Sequence, residues 1–474
     1  MKKNILIRAG MSPFETFDAA QIMRQNSIGG NVGNLVYQYS VFRTLMTEGT
    51  TITPDYYNYG PERADEINEN YDAYVIPLAD AFREEFVPSL RKYTALIKKL
   101  NIPVFVIGVG LRAPFEPKLN EGFSFDEDVK AFVSAVLEKS SIIGLRGEIT
   151  SEYLTRLGFR EGIDHTVIGC PSMYTFGREL NIRETNITKD SMISVNSSKL
   201  SPNNVLDFIT RSMEEYPNHY FLPQWMKEMR LVYAGAPAIG KDSKNYPVKM
   251  TDQVYMEDRV RFFLNVPTWL DFLKEADLSF GARLHGNITA TIAGTPSILI
   301  PKDARMRELT EYHQLTHVMA NDIDENTNLR DLIETVDFQL PVKRQGQNFD
   351  HFIDFLNKND IDHIYKDTLT PSIIPLDEQI SKIDLLPGIG TISGIDLTEK
   401  IQRWETYYDL EEERHEKANK GTKAKLAERD KKIKQQQTKL AEKDKKIKHY
   451  QGTLNRKAVR VALKTADLFA SKKN

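Results

Sequence analysis

The sequence predicts an α/β fold of two doubly wound domains facing one another across a cleft, followed by a helical tail. Three observations carry this. Short apolar runs alternate with amphipathic stretches of helical spacing from the N-terminus to about residue 340. The alternation comes as two successive series of about domain length, separated by a polar, aperiodic stretch at 177–190. From about residue 411 the composition shifts to Lys, Glu, Gln and Ala.

The first series opens with the apolar run 4–7, a buried strand, and a polar loop ending in Gly29-Gly30-Asn31-Val32-Gly33-Asn34. Leu35, Val36, Tyr39, Phe42 and Leu45 then follow helical spacing. Strand, glycine-rich loop and helix make the first half of a βαβ unit, whose helix N-terminus can hold an anion. The loop has neither the Gly-Lys-Ser/Thr of a P-loop nor the spacing Gly-x-Gly-x-x-Gly. A strand at 71–77 and a helix at 88–100 come next. The clearest buried strand is 103–109, of the kind that suits a parallel sheet covered on both faces, and a loop with Arg112 follows it. A helix at 126–139 precedes a strand at 141–145, and Arg146-Gly147-Glu148 opens a helix running to Leu157. The strand 165–169 ends this half in Cys170-Pro171-Ser172.

The second series reads as strand 192–195, helix 204–215, strands 220–222 and 231–233, and helix 267–275. It culminates in 279–301. There a strand at 276–280 runs into a turn carrying Arg283 and His285 between Gly281 and Gly286, a small-residue helix start at 287–293, and a strand at 297–300. In open α/β sheets ligands bind outside the carboxyl ends of the strands. An arginine beside a histidine in such a loop suits anion binding coupled to proton transfer. Arg146 repeats the pattern, a cation just past a strand end, and right-handed crossovers turn both sets of strand ends toward one cleft. The expected organisation is therefore two Rossmann-like domains at 1–176 and 191–345 joined by the linker 177–190. A helical connector at 346–410 and a charged tail at 411–474 complete the chain.

The tail repeats itself: the segment 425–434 recurs almost unchanged at 439–448. Leu426, Ile433, Leu440, Ile447 and Leu454 share one heptad position, but its partner position holds Asp430, Gln437, Asp444 and Gln451. A coiled coil needs two apolar positions, so this is a solvated helix with at most a weak homo-oligomer contact. The stretch 454–473 places Val459, Ala462, Leu463, Ala466 and Phe469 on one face, flanked by Arg456, Lys457, Arg460 and Lys464. Such a basic amphipathic helix suits either an anionic membrane surface or docking on the protein itself.

Among 474 residues the formal net charge is -3, which is no electrostatic trap for nucleic acid. The single cysteine, Cys170, excludes an intramolecular disulfide and fits a reducing compartment. Arg8 ends the first apolar run too early for a signal peptide, and no run is long enough to span a bilayer. A cytoplasmic location is expected, with 454–473 the candidate for peripheral contact at the inner face of the membrane. His313 and His317 stand four apart, but Gln314 occupies the place of a zincin glutamate and no third ligand is evident, so no metal is expected.

Four segments in order resemble the polysaccharide pyruvyl transferases: Gly30-Asn31-x-Gly33, the strand and glycine at 107–110, Arg146-Gly-Glu-x-x-Ser151, and Gly169-Cys-Pro-Ser172. The most specific part is a fifth, Gly281-Ala-Arg-Leu-His-Gly286 followed by Ala290, Gly294, Pro296 and Ile300. The resemblance covers roughly residues 4–315. It implies a fold like the two-domain glycosyltransferase type B architecture, with the active site in the cleft. It further implies transfer of a pyruvyl group from phosphoenolpyruvate, as donor substrate and with no cofactor, to a sugar of a cell-surface polysaccharide precursor, free or lipid-linked. The products would be a cyclic ketal and phosphate. On this resemblance His285, Arg283 and Arg146 are the catalytic candidates, and Gly29, Gly30, Asn31, Gly33, Asn34 and Arg305 the substrate-binding ones. Lys302 and Arg305 lie where relatives have a basic residue after the last strand. Asn34 stands where the family commonly has Asp, Pro77 follows a strand where relatives often have glycines, and the tail has no counterpart. The same architecture serves sugar-nucleotide glycosyltransferases, and a non-catalytic scaffold in polysaccharide assembly is a third reading.

Overall fold

The computed structural model describes residues 2–470, except the side chains of 424 and 468–470. Its strands are β1 (Lys3–Ile7), β2 (Thr50–Pro54), β3 (Ala73–Pro77), β4 (Val104–Ile107), β5 (Ile143–Leu145), β6 (His165–Val167), β7 (Ile193–Asn196), β8 (His219–Phe221), β9 (Leu278–Gly281) and β10 (Ser297–Leu299). All pair in parallel. The N-terminal half has the order β2-β1-β3-β4, and a bridge between Val109 and Leu145 carries the sheet on into β5-β6. The C-terminal half has the order β10-β9-β7-β8. Each half thus starts at an inner strand, moves outward once and then reverses. That places the topological switch points between β1 and β3 and between β7 and β9, where α/β sheets bind ligands. The expected pair of doubly wound halves is what the chain forms.

Burial on both faces explains the composition of the central strands. Every residue of β4, β7 and β9 is buried, and in β4 Val, Phe and Ile fill the positions that alternation would otherwise give to polar residues, whereas β7 and β9 bury Ser194, Asn196 and Ser279 there. In the N-terminal half Leu6, Tyr74, Val104, Val106 and Phe132 share one core.

Some elements differ from the sequence reading. Residues 231–233, expected as a strand, lie in the helix Met226–Ala234. Leu-Val-Tyr is too short a run for periodicity to decide. The helix is fixed instead by Gly235, whose left-handed φ of 73° closes it, and by burial of Met229 and Val232 one turn apart. The edge strand β2 went unseen because its Thr-rich sequence exposes Thr51 and buries Ile52, a weak signal. The boundary expected at 345 falls inside the helix Leu340–Lys358. That helix packs on the N-terminal half: Asn359 Oδ1 accepts from the amides of Ser141 (3.0 Å) and Ile142 (3.2 Å), beside β5. The helix Ala304–His313 also crosses back, as His313 Nε2 accepts the Cys170 amide at 2.8 Å.

Met1–Trp404 forms one compact unit and Glu405–Asn474 a second, so the tail begins a few residues before the expected 411. The helix Leu397–Leu454 runs into the second unit, and the helix Lys457–Ala470 follows it. Leu426, Ile433, Leu440, Ile447 and Leu454 are all exposed. The part of the expected basic amphipathic segment at 471–473, and the side chain of Phe469, lie outside the described residues. No helix among the described residues is long and apolar enough to cross a membrane.

Candidate active site

A cleft of about 800 Å³ opens between the two halves at the carboxyl ends of the strands. The N-terminal half contributes Gly29, Asn31, Asn34, Asp80, Arg83, Arg112, Phe123 and Phe125. The C-terminal half contributes Gln224, Trp225, Arg283, His285, Lys302, Asp303 and Arg305. Of the nine candidates, Gly29, Asn31, Asn34, Arg283, His285 and Arg305 line it directly.

His285 owes its place to the glycines around it. At Gly281, φ is +139° and a Cβ would stand 1.7 Å from the Asn196 carbonyl oxygen, so only glycine lets β9 end this close to β7. Asn196 Oδ1 then accepts from the Arg283 amide (2.9 Å) and from Asn287 Nδ2 (3.0 Å), pinning the turn to the neighbouring strand. Gly33 from the opposite half approaches so closely that a Cβ there would lie 3.1 Å from His285 Cβ. The ring packs at 5.6 Å from Tyr37, and Nε2 lies 3.9 Å from Cys170 Sγ. Burial, followed by the positive charges of Arg146 and Arg305, holds the imidazole well below its ordinary pKa. His285 is therefore neutral in the ligand-free protein at pH 7.

The two arginines differ in accessibility. Arg283 Nη2 donates to both oxygens of Glu228, at 2.9 and 3.0 Å, Nε donates to the Ser197 carbonyl at 2.5 Å, and the guanidinium lies 4.3 Å from the Trp225 ring. Glu228, fully buried, also accepts from the amides of Gln224 and Trp225 and from the Tyr246 hydroxyl. Arg283 thus enters the cleft with its charge already compensated. Arg146 does not line the cleft. It is wholly buried beneath the floor, where Nε donates to the Gly108 carbonyl (2.7 Å) and Nη2 to the Leu78 carbonyl (3.2 Å), while Nη1 has no partner. Its guanidinium lies 5.5 Å from the Tyr37 ring, whose centre is the one facing His285. Arg146 acts on the imidazole through the field, with no carboxylate bonded to it.

Arg305 is held by Asp80 (3.2 Å) and Asp303 (3.3 Å). Two neighbouring basic groups are in no ion pair among the described residues: Arg112 is exposed in the cleft near Asp80, and Lys302 Nζ donates to Ser201 Oγ at 2.8 Å. Burial, then Arg283 and the other guanidiniums nearby, lower Lys302 to about 7. Glu308 completes the electrostatics from below. Its carboxyl accepts from the amide and hydroxyl of Thr150 at 2.9 Å, and burial raises its pKa to about 8.

The glycine-rich loop is bound to the far side of the cleft. The Val32 amide donates to the Gln224 carbonyl (2.9 Å) and the Met226 amide to the Gly30 carbonyl (3.0 Å). Gly29 and Gly30 take φ of 57° and 82° to allow it. The first amides of the helix Gly33–Leu45 are already used, Gly33 on Asn31 Oδ1 (2.9 Å) and Asn34 on the Asn31 carbonyl (3.0 Å). The anion site expected at this helix end is consumed by the loop itself. Asn34 Nδ2 donates to the carbonyls of Ile28 (3.0 Å) and Gly29 (3.4 Å), a bond that the aspartate common at this place in relatives could not make. Among the described residues no group of His, Cys, Asp and Glu is arranged to hold a metal ion.

Three functional neighbours escaped the sequence reading. Glu228 sits in an ordinary-looking Trp-Met-Lys-Glu segment, Asp80 in a loop, and Glu308 on a helix that the periodicity did not reveal. Lys302 carried a signal only through its place after β10.

No curated protein matches the sequence. Solved structures to which the chain is similar include the UDP-GlcNAc 2-epimerase of Methanocaldococcus jannaschii in complex with UDP-GlcNAc and UDP. It shows 14% identity over 75% of this chain and 99% of its own, with a TM-score of 0.41. The UDP-GlcNAc 2-epimerase of Neisseria meningitidis bound to UDP-GlcNAc shows 11% identity over 76% and 100%, with a TM-score of 0.39. The glycosyltransferase SnogD of Streptomyces nogalater shows 11% over 74% and 95%, with a TM-score of 0.31. The sequence profile named polysaccharide pyruvyl transferase matches residues 49–303, a stretch that includes Arg146, Arg283 and His285 and leaves the glycine-rich loop and Arg305 outside. With more than half of its length matched, the chain belongs to the polysaccharide pyruvyl transferase family.

Proposed function

We propose that the protein transfers the pyruvyl group of phosphoenolpyruvate to two hydroxyls of a sugar in a surface-polysaccharide precursor, forming a pyruvate ketal and releasing phosphate. The observation that carries this is a neutral imidazole, His285, in a cleft where two basic groups, Arg112 and Lys302, are in no ion pair among the described residues. Phosphoenolpyruvate brings a carboxylate and a phosphate, and these two anions match the two basic groups. Arg283 Nη1, which has no protein partner, adds a third donor to the wall.

The proton balance of the reaction assigns the histidine. The first sugar hydroxyl adds to C2 of the donor while C3 gains a proton and becomes the methyl group, and the proton the hydroxyl loses replaces the one delivered to C3. The second hydroxyl then displaces phosphate from C2, and its proton leaves with the phosphate. One group must therefore deliver a proton to carbon, and in the free site the imidazole carries none to give. Anion binding opposes the field of the surrounding guanidiniums and so raises the pKa of His285, favouring its protonated form. Until then burial, with the charge of Arg146 beneath the floor added to it, keeps the imidazole neutral.

Purified protein incubated with phosphoenolpyruvate and candidate glycans tests this directly. The expected result is phosphate release matched by acceptor gaining one pyruvyl ketal, lost in a folded His285→Asn variant. Reaction with sugar nucleotides in place of phosphoenolpyruvate would overturn it in favour of glycosyl transfer.

A further inference from the structure

The C-terminal helix Lys457–Ala470 has no part in the cleft, yet its surface is strongly sorted. At 100° per residue, Lys457, Arg460 and Lys464 fall within about 60° of one another, with Asp467 beside them. Ala462, Ala466, Val459 and Leu463 share a face about 100° wide on the other side, while Val461 lies beside Lys457. Leu463 is 49% exposed, and Ala462 and Ala466 are exposed as well, so this apolar face is uncovered. Arg456, Lys457, Arg460 and Lys464 are exposed and have no ion-pair partner among the described residues. A helix of 14 residues rises only about 21 Å, too short to cross a bilayer. Its remaining option at a membrane is to lie in the interfacial plane.

We propose that this helix is a docking surface for an anionic lipid bilayer, lying among the headgroups with Val459, Ala462, Leu463 and Ala466 inserted and the lysine and arginine heads reaching the lipid phosphates. Charge complementarity selects this occupant. Four cations against one acid, Asp467, in the stretch 456–467 would repel each other across a face shared by two copies of the helix. Against phosphatidylglycerol the same cations attract, and their long aliphatic stems extend the apolar contact as the heads reach upward.

The full-length protein is tested by co-sedimentation with vesicles of phosphatidylcholine alone or with added phosphatidylglycerol. It is expected to pellet only with the anionic vesicles and to be released by high salt. Reversing three charges, Lys457→Glu, Arg460→Glu and Lys464→Glu together, should weaken binding on the order of 100-fold. The pair Val459→Asp and Leu463→Asp should also abolish it, with helix content by circular dichroism and the activity of the catalytic unit unchanged. The proposal is overturned if the wild type ignores anionic vesicles or binds neutral ones equally. It is overturned too if binding survives either variant, or if the apolar variant changes only the oligomeric state in light scattering, which would assign the face to a second copy.

Discussion

Binding of phosphoenolpyruvate should draw protons out of solution, and the number can be worked from the site. Lys302 is lowered to about 7 by burial and by the guanidiniums of Arg283, Arg305 and Arg112. At pH 8 an amine with that pKa is about 10% protonated, and at pH 7 about half. An anion bound among the same groups opposes their field and returns the amine toward its charged form. Lys302 alone then takes up about 0.9 proton per site at pH 8 and about 0.5 at pH 7. Phosphoenolpyruvate is fully ionised at pH 8, so its own phosphate contributes little there. Calorimetric titration in two buffers of different ionisation enthalpy gives the count from the difference in apparent binding heat. Lys302→Met should remove most of the uptake at pH 8, and the residue left near neutral pH belongs to His285. Binding with no proton uptake, or uptake undiminished in Lys302→Met, would refute the electrostatic account of the cleft.

Other perturbations have equally definite outcomes. Glu228→Gln places an amide N–H group among donors from Arg283, Gln224, Trp225 and Tyr246 and leaves Arg283 uncompensated. The cost is roughly 3–5 kcal/mol, which for a 404-residue unit lowers Tm by roughly 5 °C, read by calorimetry. Glu308 is raised to about 8 in the folded protein from 4.5 unfolded, so its contribution is full below 4.5 and is lost as pH rises through 8. Glu308→Gln should therefore gain stability relative to the wild type between pH 6 and pH 9, and equal melting shifts at both pH values would contradict this. Asn34→Asp turns a donor to the Ile28 and Gly29 carbonyls into an acceptor. A loss of about 1–3 kcal/mol and a raised KM for the donor are expected, measured by chemical denaturation and initial rates.

The legible parts of this fold are those whose signals are local. The strand run at 103–109 and the turn Gly281–Gly286 are read directly, because β-branched continuity and tightly spaced glycines each have one dominant structural meaning. Arg146 was visible as a cation past a strand end, but its burial is set by the carbonyls of Leu78 and Gly108, which no local pattern reveals. Glu228 was invisible for the same reason: its partner Arg283 lies 55 positions away. The glycine-rich loop was recognised, and its likeness to an anion-binding turn was misleading. Its amides are spent on Asn31 and on the strand end near Gln224, contacts that exist only after both halves meet. The segment 231–233 failed because three apolar residues suit strand and helix alike.

The return of the helices Ala304–His313 and Leu340–Lys358 to the N-terminal half bears on how the chain is made. The first 176 residues leave the ribosome with the amides of Ser141 and Ile142 still waiting for Asn359, and with Thr150 waiting for Glu308. The half that is translated first is therefore completed only after every strand of the second half has been made. Nascent chains arrested before residue 359 should stay open to protease beside β5 even though every strand of that sheet has already been synthesised.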